Sequence, residues 1–554
     1  MESSLEDGTA PEKQHHPFLH YRSRRLHIVL MLMYAFFCMC QMTAHIGLSL
    51  SCMCNSTAVA MMNSNGTSKV EGSAAVLLNG TSKVEGSAAV LLKLMGNESL
   101  EDGNGEMMEI GGAADDAPSC TKLEGKKVVD YGGTFIWSVN WQSNVVSAAF
   151  FGGFLFSYPA GILVDRFSAR HILSIAIATL TVSSFLMPTL ATFFGAQGAF
   201  LSRFFMGISE TMLIPALNSM VTKWIPVNEK SLAASVFTAG NQLSGMFGNV
   251  LVAELCASSL GWSSIFYSGS LFGVSWLILW HLTVRNSPHN TRWIHKRELD
   301  YLANQIPPKH NTSGKKTATP WREMATSKMM WCLMYNSIIG NMMIALIFVY
   351  IPVYFKDVLM LDVQSNGFYS AIPHVSNLIS KLIWGYLMDK LRHKKILSPT
   401  GTVKLSQFVS MMGIAIACFF LTFVNCSTPY QALVLLSMVS GFFGLSISGF
   451  YTSLLSVAPS HIGVLTSLGT VIGFLGRMFA PILISYYKTV GTADEWSKIL
   501  TVYVFATASG AIVFLFYGSG EVQEWDYSKR HNAQIARSNA LVAPESEKTL
   551  EDFE

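Results

Sequence analysis

Twelve runs of about 20 apolar residues dominate this chain. They lie near 26–52, 141–164, 172–193, 197–222, 231–256 and 263–284, then near 329–355, 367–389, 403–425, 430–455, 461–487 and 497–517. A run of that length spans the hydrocarbon of a bilayer. Lipid satisfies no backbone hydrogen bond, so each run must be a helix. The predicted fold class is an all-α membrane protein of twelve transmembrane helices in two six-helix halves. Composition agrees, since only 13% of the residues are charged where soluble chains carry about 25%. The net charge of +3 comes without sustained basic runs, which sets nucleic acid aside as a partner and leaves the lipid bilayer.

Lysine and arginine set the orientation. Arg22, Arg24 and Arg25 precede the first run, the connection 285–328 holds nine basic against three acidic residues, and "DKLRHKK" follows the eighth run. With an even number of helices these segments share one side, which the positive-inside bias makes cytosolic, together with both termini. The expected organisation is a cytosolic tail at 1–25, a first half at 26–284, a cytosolic central loop at 285–328, a second half at 329–517 and a cytosolic tail at 518–554. No cleavable signal peptide is evident, because the first run is long enough to span.

The loop at 54–138 then faces outside the cytosol or into a lumen. It carries eleven acidic residues against six lysines, and sequons at Asn55, Asn65, Asn79 and Asn97, which suits a glycosylated, hydrated segment. "NGTSKVEGSAAVLL" at 65–78 recurs at 79–92, too short an array for a stacked solenoid and read as a duplication in a tether. Cys52, Cys54 and Cys120 lie where a disulfide forms readily. The other six cysteines lie in or near helices and read as small apolar fillers.

Charges inside the apolar runs are the functional signal. Arg203 and Glu210 lie seven residues apart in "RFFMGISET", which on a helix is one face and about 10 Å of height. A charge at mid-membrane costs about 2.5–3.5 kcal/mol on insertion scales, so both must face the bundle interior. Gly207 between them leaves room for a small ligand or a close helix. An internal ion pair and two separate stations are both compatible with the spacing. Arg477, in "IGFLGRMFAPIL", is a third charge of this kind. Lys381, His374, Asn241, Asn336, Asn341 and Tyr451 read as cavity-facing groups or interhelical hydrogen bonds, with Lys381 also able to snorkel.

Two stretches repeat at matching places in the halves. "GILVDRFSARHIL" follows the second run and "WGYLMDKLRHKKIL" the eighth. This pattern resembles the loop signature of the major facilitator superfamily, whose halves rock about a central site. The resemblance implies a cytosolic gate at Asp165, Arg166, Asp389 and Arg392. Further blocks, among them "RFFMGISETMLIPALNSMVTKWIPVNEKS", "TPWREMATS", "PVYFKDVL", "SGFYTSLLSVAP" and "GSGEVQEW", are similar in content and order to the anion:cation symporters over about 140–526. That group includes sialin, vesicular glutamate transporters and type I sodium-phosphate cotransporters.

The resemblance implies a secondary active transporter for a small organic or inorganic anion, coupled to H+, to Na+ or to membrane potential, in a plasma or a lysosomal or vesicular membrane. Arg203 would attract the anion and Glu210 would carry the proton. His45 stands where most relatives have an arginine, giving either a pH-dependent anion contact or a neutral hydrogen-bonded histidine. Gly340 and Ser147 stand where the glutamate transporters have an arginine and a histidine, which disfavours glutamate. Arg477 stands where relatives have a small residue and is expected to restore a cationic contact, or else to snorkel or pair with Glu210 as a gate. Alternatives are a sodium-dependent phosphate cotransporter and a non-transporting membrane sensor on the same fold. No metal-ligand spacing, nucleotide loop or nucleophile triad is present, so no cofactor and no enzymatic activity are expected.

Overall fold

The computed structural model describes residues 23–59, 130–226, 230–285, 294–305, 320–458 and 461–526, with isolated positions between. Helix occupies all twelve predicted segments. The first is Arg24–Thr43 continued by Ile46–Met53, the second Val139–Arg166. The third and fourth run together as Ala169–Trp224, parted only where Gly195 takes φ 59° and ψ −142°. A positive φ of this kind is open to glycine without steric cost, so the chain reverses there in one residue.

The fifth is Lys230–Leu243 and Asn249–Ala257, joined by a π turn, and the sixth Ser263–Thr283. The second half repeats the series. Lys328–Ala345 and Ile351–Asp357 form the seventh around a π turn, Val363–His393 the eighth and Pro399–Leu421 the ninth. Pro429–Leu445 and Thr452–Ser456 form the tenth, Ile462–Tyr487 the eleventh and Ala493–Tyr517 the twelfth. Eight helices among the described residues are long and apolar enough to cross a membrane, one of them the 53-residue stretch Ala169–Val221. The second, fifth and eighth are helical but not among those eight.

Close backbone approach packs the bundle. A Cβ added to Gly207 would lie 1.8 Å from the carbonyl oxygen of Ala149, so helices two and four touch backbone to backbone there. Of the two uses the sequence left open for Gly207, the structure has the close helix. The halves meet the same way, with Gly47 of helix one against the Val349 carbonyl of helix seven.

Hydrogen bonds between the halves run from the midplane to one end of the bundle. They include Asn249 Nδ2 to Ser370 O at 3.3 Å, Asn366 Nδ2 to Tyr131 OH at 3.0 Å, and Lys356 Nζ to Ser51 O at 3.0 Å. At the other end Arg166, Asp389 and Arg392 are exposed. Among the described residues, these hydrogen bonds tie the halves from mid-depth to the end opposite the exposed charges.

One expectation fails. Cys52 is bonded to Cys256, with Cα atoms 6.1 Å apart, and Cys54 is free and buried. Cys256 ends helix five, which the fold lays beside the end of helix one, so it is no apolar filler. Cys426 is also disulfide-bonded. Cys120 lies outside the described residues, as do Asn65, Asn79 and Asn97. Asn55 directly follows helix one, its Oδ1 accepting from Ala58 N.

Candidate functional site

Arg203 and Glu210 project from the middle of helix four into the bundle, 1% and 7% exposed. They do not bond each other. Arg203 Nη1 donates to Thr43 O at 3.1 Å, the last residue before helix one breaks at Ala44 and His45. Its Nε is buried without a hydrogen-bond partner among the described residues. A buried guanidinium with an unused donor is costly unless something answers it.

Glu210 is answered from the other half. Arg477 Nη1 of helix eleven donates to Glu210 Oε1 at 2.6 Å, a charge-assisted contact across the midplane. Arg477 Nε donates to Asn341 Oδ1 of helix seven at 3.0 Å, and its guanidinium carbon lies 5.4 Å from the Phe474 ring centroid. The fold therefore gathers two arginines and one carboxylate about the interface, a net excess of one positive charge. Of the readings the sequence left open, Arg477 pairs with Glu210, and Arg203 bonds Thr43 O rather than Glu210.

His45 is differently placed. Nδ1 lies 2.9 Å from Asn249 Oδ1 and Nε2 lies 3.1 Å from Ser244 Oγ, with 3% of the residue exposed. Both ring nitrogens are committed to the fifth helix around its π turn. In this conformation His45 is the hydrogen-bonded histidine of the two alternatives and offers no free donor to an anion. His374 of helix eight packs on the same π turn through Gly245 and meets the Phe348 ring at a tilt, with centroids 4.6 Å apart.

Asn336 accepts from Gln407 Nε2 at 3.2 Å and Asn241 accepts from Cys40 Sγ at 3.2 Å, both interhelical bonds, while Tyr451 is exposed. The expected gate residues Arg166, Asp389 and Arg392 stand at helix ends, exposed; the side chain of Asp165 lies outside the described set.

Two buried charge clusters escaped the sequence reading. Lys356, 4% exposed, also donates to Ser56 Oγ at 2.7 Å and lies 4.5 Å from the Tyr131 ring centroid. Its neighbour Asp357 pairs with Lys488 at 2.7 Å and accepts from Trp496 Nε1 at 3.1 Å. The signal was "YFKD" closing an apolar run, which looks the same as a snorkelling end. Glu298 and Arg25, both fully buried, pair at 3.2 Å although 273 residues apart. Nothing local in the sequence couples them.

Two pseudo-repeated helical halves, packed at one end and exchanging charges at mid-depth, define a membrane transporter rather than an enzyme. The comparisons agree. Residues 127–481 match the Major Facilitator Superfamily. The chain is 35% identical over 539 residues to a Caenorhabditis elegans protein named "Uncharacterized transporter slc-17.3", covering 97% of this chain and 94% of that one. It is 26% identical to sheep sialin over 72% of this chain and 79% of the relative. To zebrafish vesicular glutamate transporter 3 it is 29% identical, over 70% of this chain and 66% of the relative.

A crystal structure of a D-xylose-proton symporter superposes with a TM-score of 0.61 at 15% identity, covering 90% of this chain and 100% of the other, a likeness of fold. The chain belongs to the major facilitator superfamily, in its group of anion:cation symporters, and is a multi-pass membrane transporter.

Proposed function

We propose that this protein accumulates a small anion by alternating access, coupled to protons through Glu210. The observation that carries the reading is the bridge from Arg477 to Glu210 across the halves, with Arg203 two turns away holding an unpartnered donor. A net positive interface in a low-dielectric bundle attracts an anion, and guanidinium suits carboxylate or phosphate. Glu210 gives up Arg477 when the anion arrives, and a carboxylate so released takes up a proton. Substrate charge and proton then move together. Two relatives carry sialin and vesicular glutamate transporter names, which supports an anionic cargo. Gly340 and Ser147 argue for an anion other than glutamate.

The halves 26–284 and 329–517 are the rocking bodies, tied by the central loop 285–328. The packed end, with Lys356 and the 54–138 loop, faces away from the cytosol. The exposed end, with Asp165, Arg166, Asp389 and Arg392, is the open cytosolic gate, and both termini lie on that side. Sequons at Asn55, Asn65, Asn79 and Asn97 are then on the glycosylated face. The membrane is plasma or lysosomal/vesicular.

The test is uptake into proteoliposomes of phosphate, sialate, glutamate, urate and aspartate, under an imposed pH gradient, sodium gradient or potential, beside Arg203→Ala. Accumulation of one anion that vanishes in the variant supports the reading. Phosphate uptake driven by sodium alone would replace it with the phosphate-cotransporter alternative, and binding without accumulation with the sensor.

A further inference from the structure

Arg477 is held by one edge from helix seven. Asn341 Oδ1 accepts from its Nε at 3.0 Å, and Asn341 Nδ2 donates to Ser337 O, one turn back, at 2.9 Å. The amide is wedged against helix eleven, because a Cβ on Gly473 would lie 2.5 Å from Asn341 Nδ2. Glu210 takes Nη1 at 2.6 Å. Arg477 is 19% exposed at its side chain, so the rest of the fork is reachable between the halves.

A guanidinium offers an anion two bidentate edges, Nε with Nη2 and Nη1 with Nη2. Asn341 occupies the first at Nε. Glu210 occupies the second at Nη1.

We propose that Asn341 is the positioning residue that makes anion binding compulsory with proton uptake: it blocks the Nε edge, so a two-oxygen anion docks on Arg477 only by displacing Glu210. The proposal rests on the anion-proton reading above and deepens it. The displaced carboxylate accepts a proton from water on one side of the membrane and releases it to water on the other when Arg477 returns. Among the described residues, Arg203 on its own helix and Cys40 on helix one interact electrostatically with Glu210 besides Arg477. Thr211, next on helix four, donates to Ser157 on helix two and adds no charge.

The experiment uses the full chain in proteoliposomes with trapped pH dye and the same five anions. Asn341→Leu, similar in volume but without an acceptor, frees the Nε edge; Asn341→Asp keeps an acceptor there. Asn341→Leu is expected to retain downhill uptake while the effect of a pH gradient and the proton influx per anion fall by about tenfold. Asn341→Asp is expected to stay coupled with a raised KM, since its charge repels the anion. Asn341→Ala repeats the acceptor loss should the leucine variant fold poorly.

Unchanged proton influx per anion in Asn341→Leu or Asn341→Ala overturns the proposal and leaves the anion reading standing. So does equal loss of uptake in all three variants with KM unchanged, which marks a merely structural asparagine. Wild-type accumulation driven by sodium without proton movement also overturns it while the cargo remains an anion. A wild type that accumulates none of the five anions overturns the reading and the proposal with it.

Discussion

Lys356 of helix seven ends inside the other half, its Nζ on Ser51 O at 3.0 Å and Ser56 Oγ at 2.7 Å at the end of helix one. Among the described residues, the ammonium is held by a carbonyl, a hydroxyl and the Tyr131 ring, with no carboxylate in direct contact, and it closes that end of the bundle. Hydrogen bonds to charged groups contribute about 1.5–3 kcal/mol each. Lys356→Met keeps the stem and removes the contacts, so it should shift the population away from the closed end by about tenfold or more. The measurement is maleimide labelling of Cys54, a free cysteine buried at that end, in a background without Cys38, Cys40, Cys332 and Cys418. An unchanged labelling rate would show that Lys356 is no latch.

The pair Glu210 and Arg477 predicts a non-additive double variant. Removing one member of a buried pair strands the other and costs about 3–5 kcal/mol, whereas removing both replaces a charged contact with a neutral one. Arg477→Gln and Glu210→Gln should each lower the melting temperature in detergent, Arg477→Gln more because it strands a carboxylate. Their combination should melt above the sum of the two losses. Strict additivity would mean that the contact at 2.6 Å contributes nothing.

Much of this architecture is legible in the sequence because apolarity and length specify a membrane helix with little help from context. The twelve segments, the polar central loop and the inward-facing Arg203, Glu210 and Arg477 follow from that rule alone. What escaped depends on which helix ends become neighbours. The Cys52 to Cys256 bond spans 204 residues, and the choice of Arg477 rather than Arg203 as the bonded partner of Glu210 was made by helix eleven. His45 was ambiguous for the same reason. Its role is decided by Asn249 and Ser244, brought close by a π turn that no residue pattern announces.

Glu298 predicts a local failure at the start of helix one. Its carboxylate accepts from Ser23 Oγ, Arg24 N and Arg25 N as well as Arg25 Nε, capping the helix from the central loop. Glu298→Ala removes four acceptor contacts and leaves Arg25 buried, a loss of roughly 3–5 kcal/mol at that junction. The segment Lys296–Gln305 should then be cut by trypsin much faster than in the wild type. Equal digestion rates would show that the clasp is not what holds the loop helix down.

The disulfide from Cys52 to Cys256 ties the ends of helices one and five, which carry the Gly47 contact to Val349 and the Asn249 contact to Ser370. Cross-linking a loop of this length lowers unfolded-chain entropy by an amount on the order of 5 kcal/mol in a random coil, less where membrane insertion already restricts the chain. Cys52→Ser with Cys256→Ser should lower the melting temperature while uptake persists, because neither sulfur touches Glu210, Arg477 or Arg203.

Glu210→Gln isolates the coupling step. The amide keeps the shape and still meets Arg477 but carries no titratable proton, so on the proposed coupling the carrier should move anion without moving H+. Anion exchange across liposomes with equal pH on both sides should continue, and accumulation against a gradient under an imposed pH difference should disappear. The split follows from the geometry: Arg203 and Arg477 remain to draw an anion, while the carboxylate of Glu210, bonded between the two arginine-bearing helices, is gone. Full pH-driven accumulation in this variant would place the proton on another group and remove Glu210 from the mechanism.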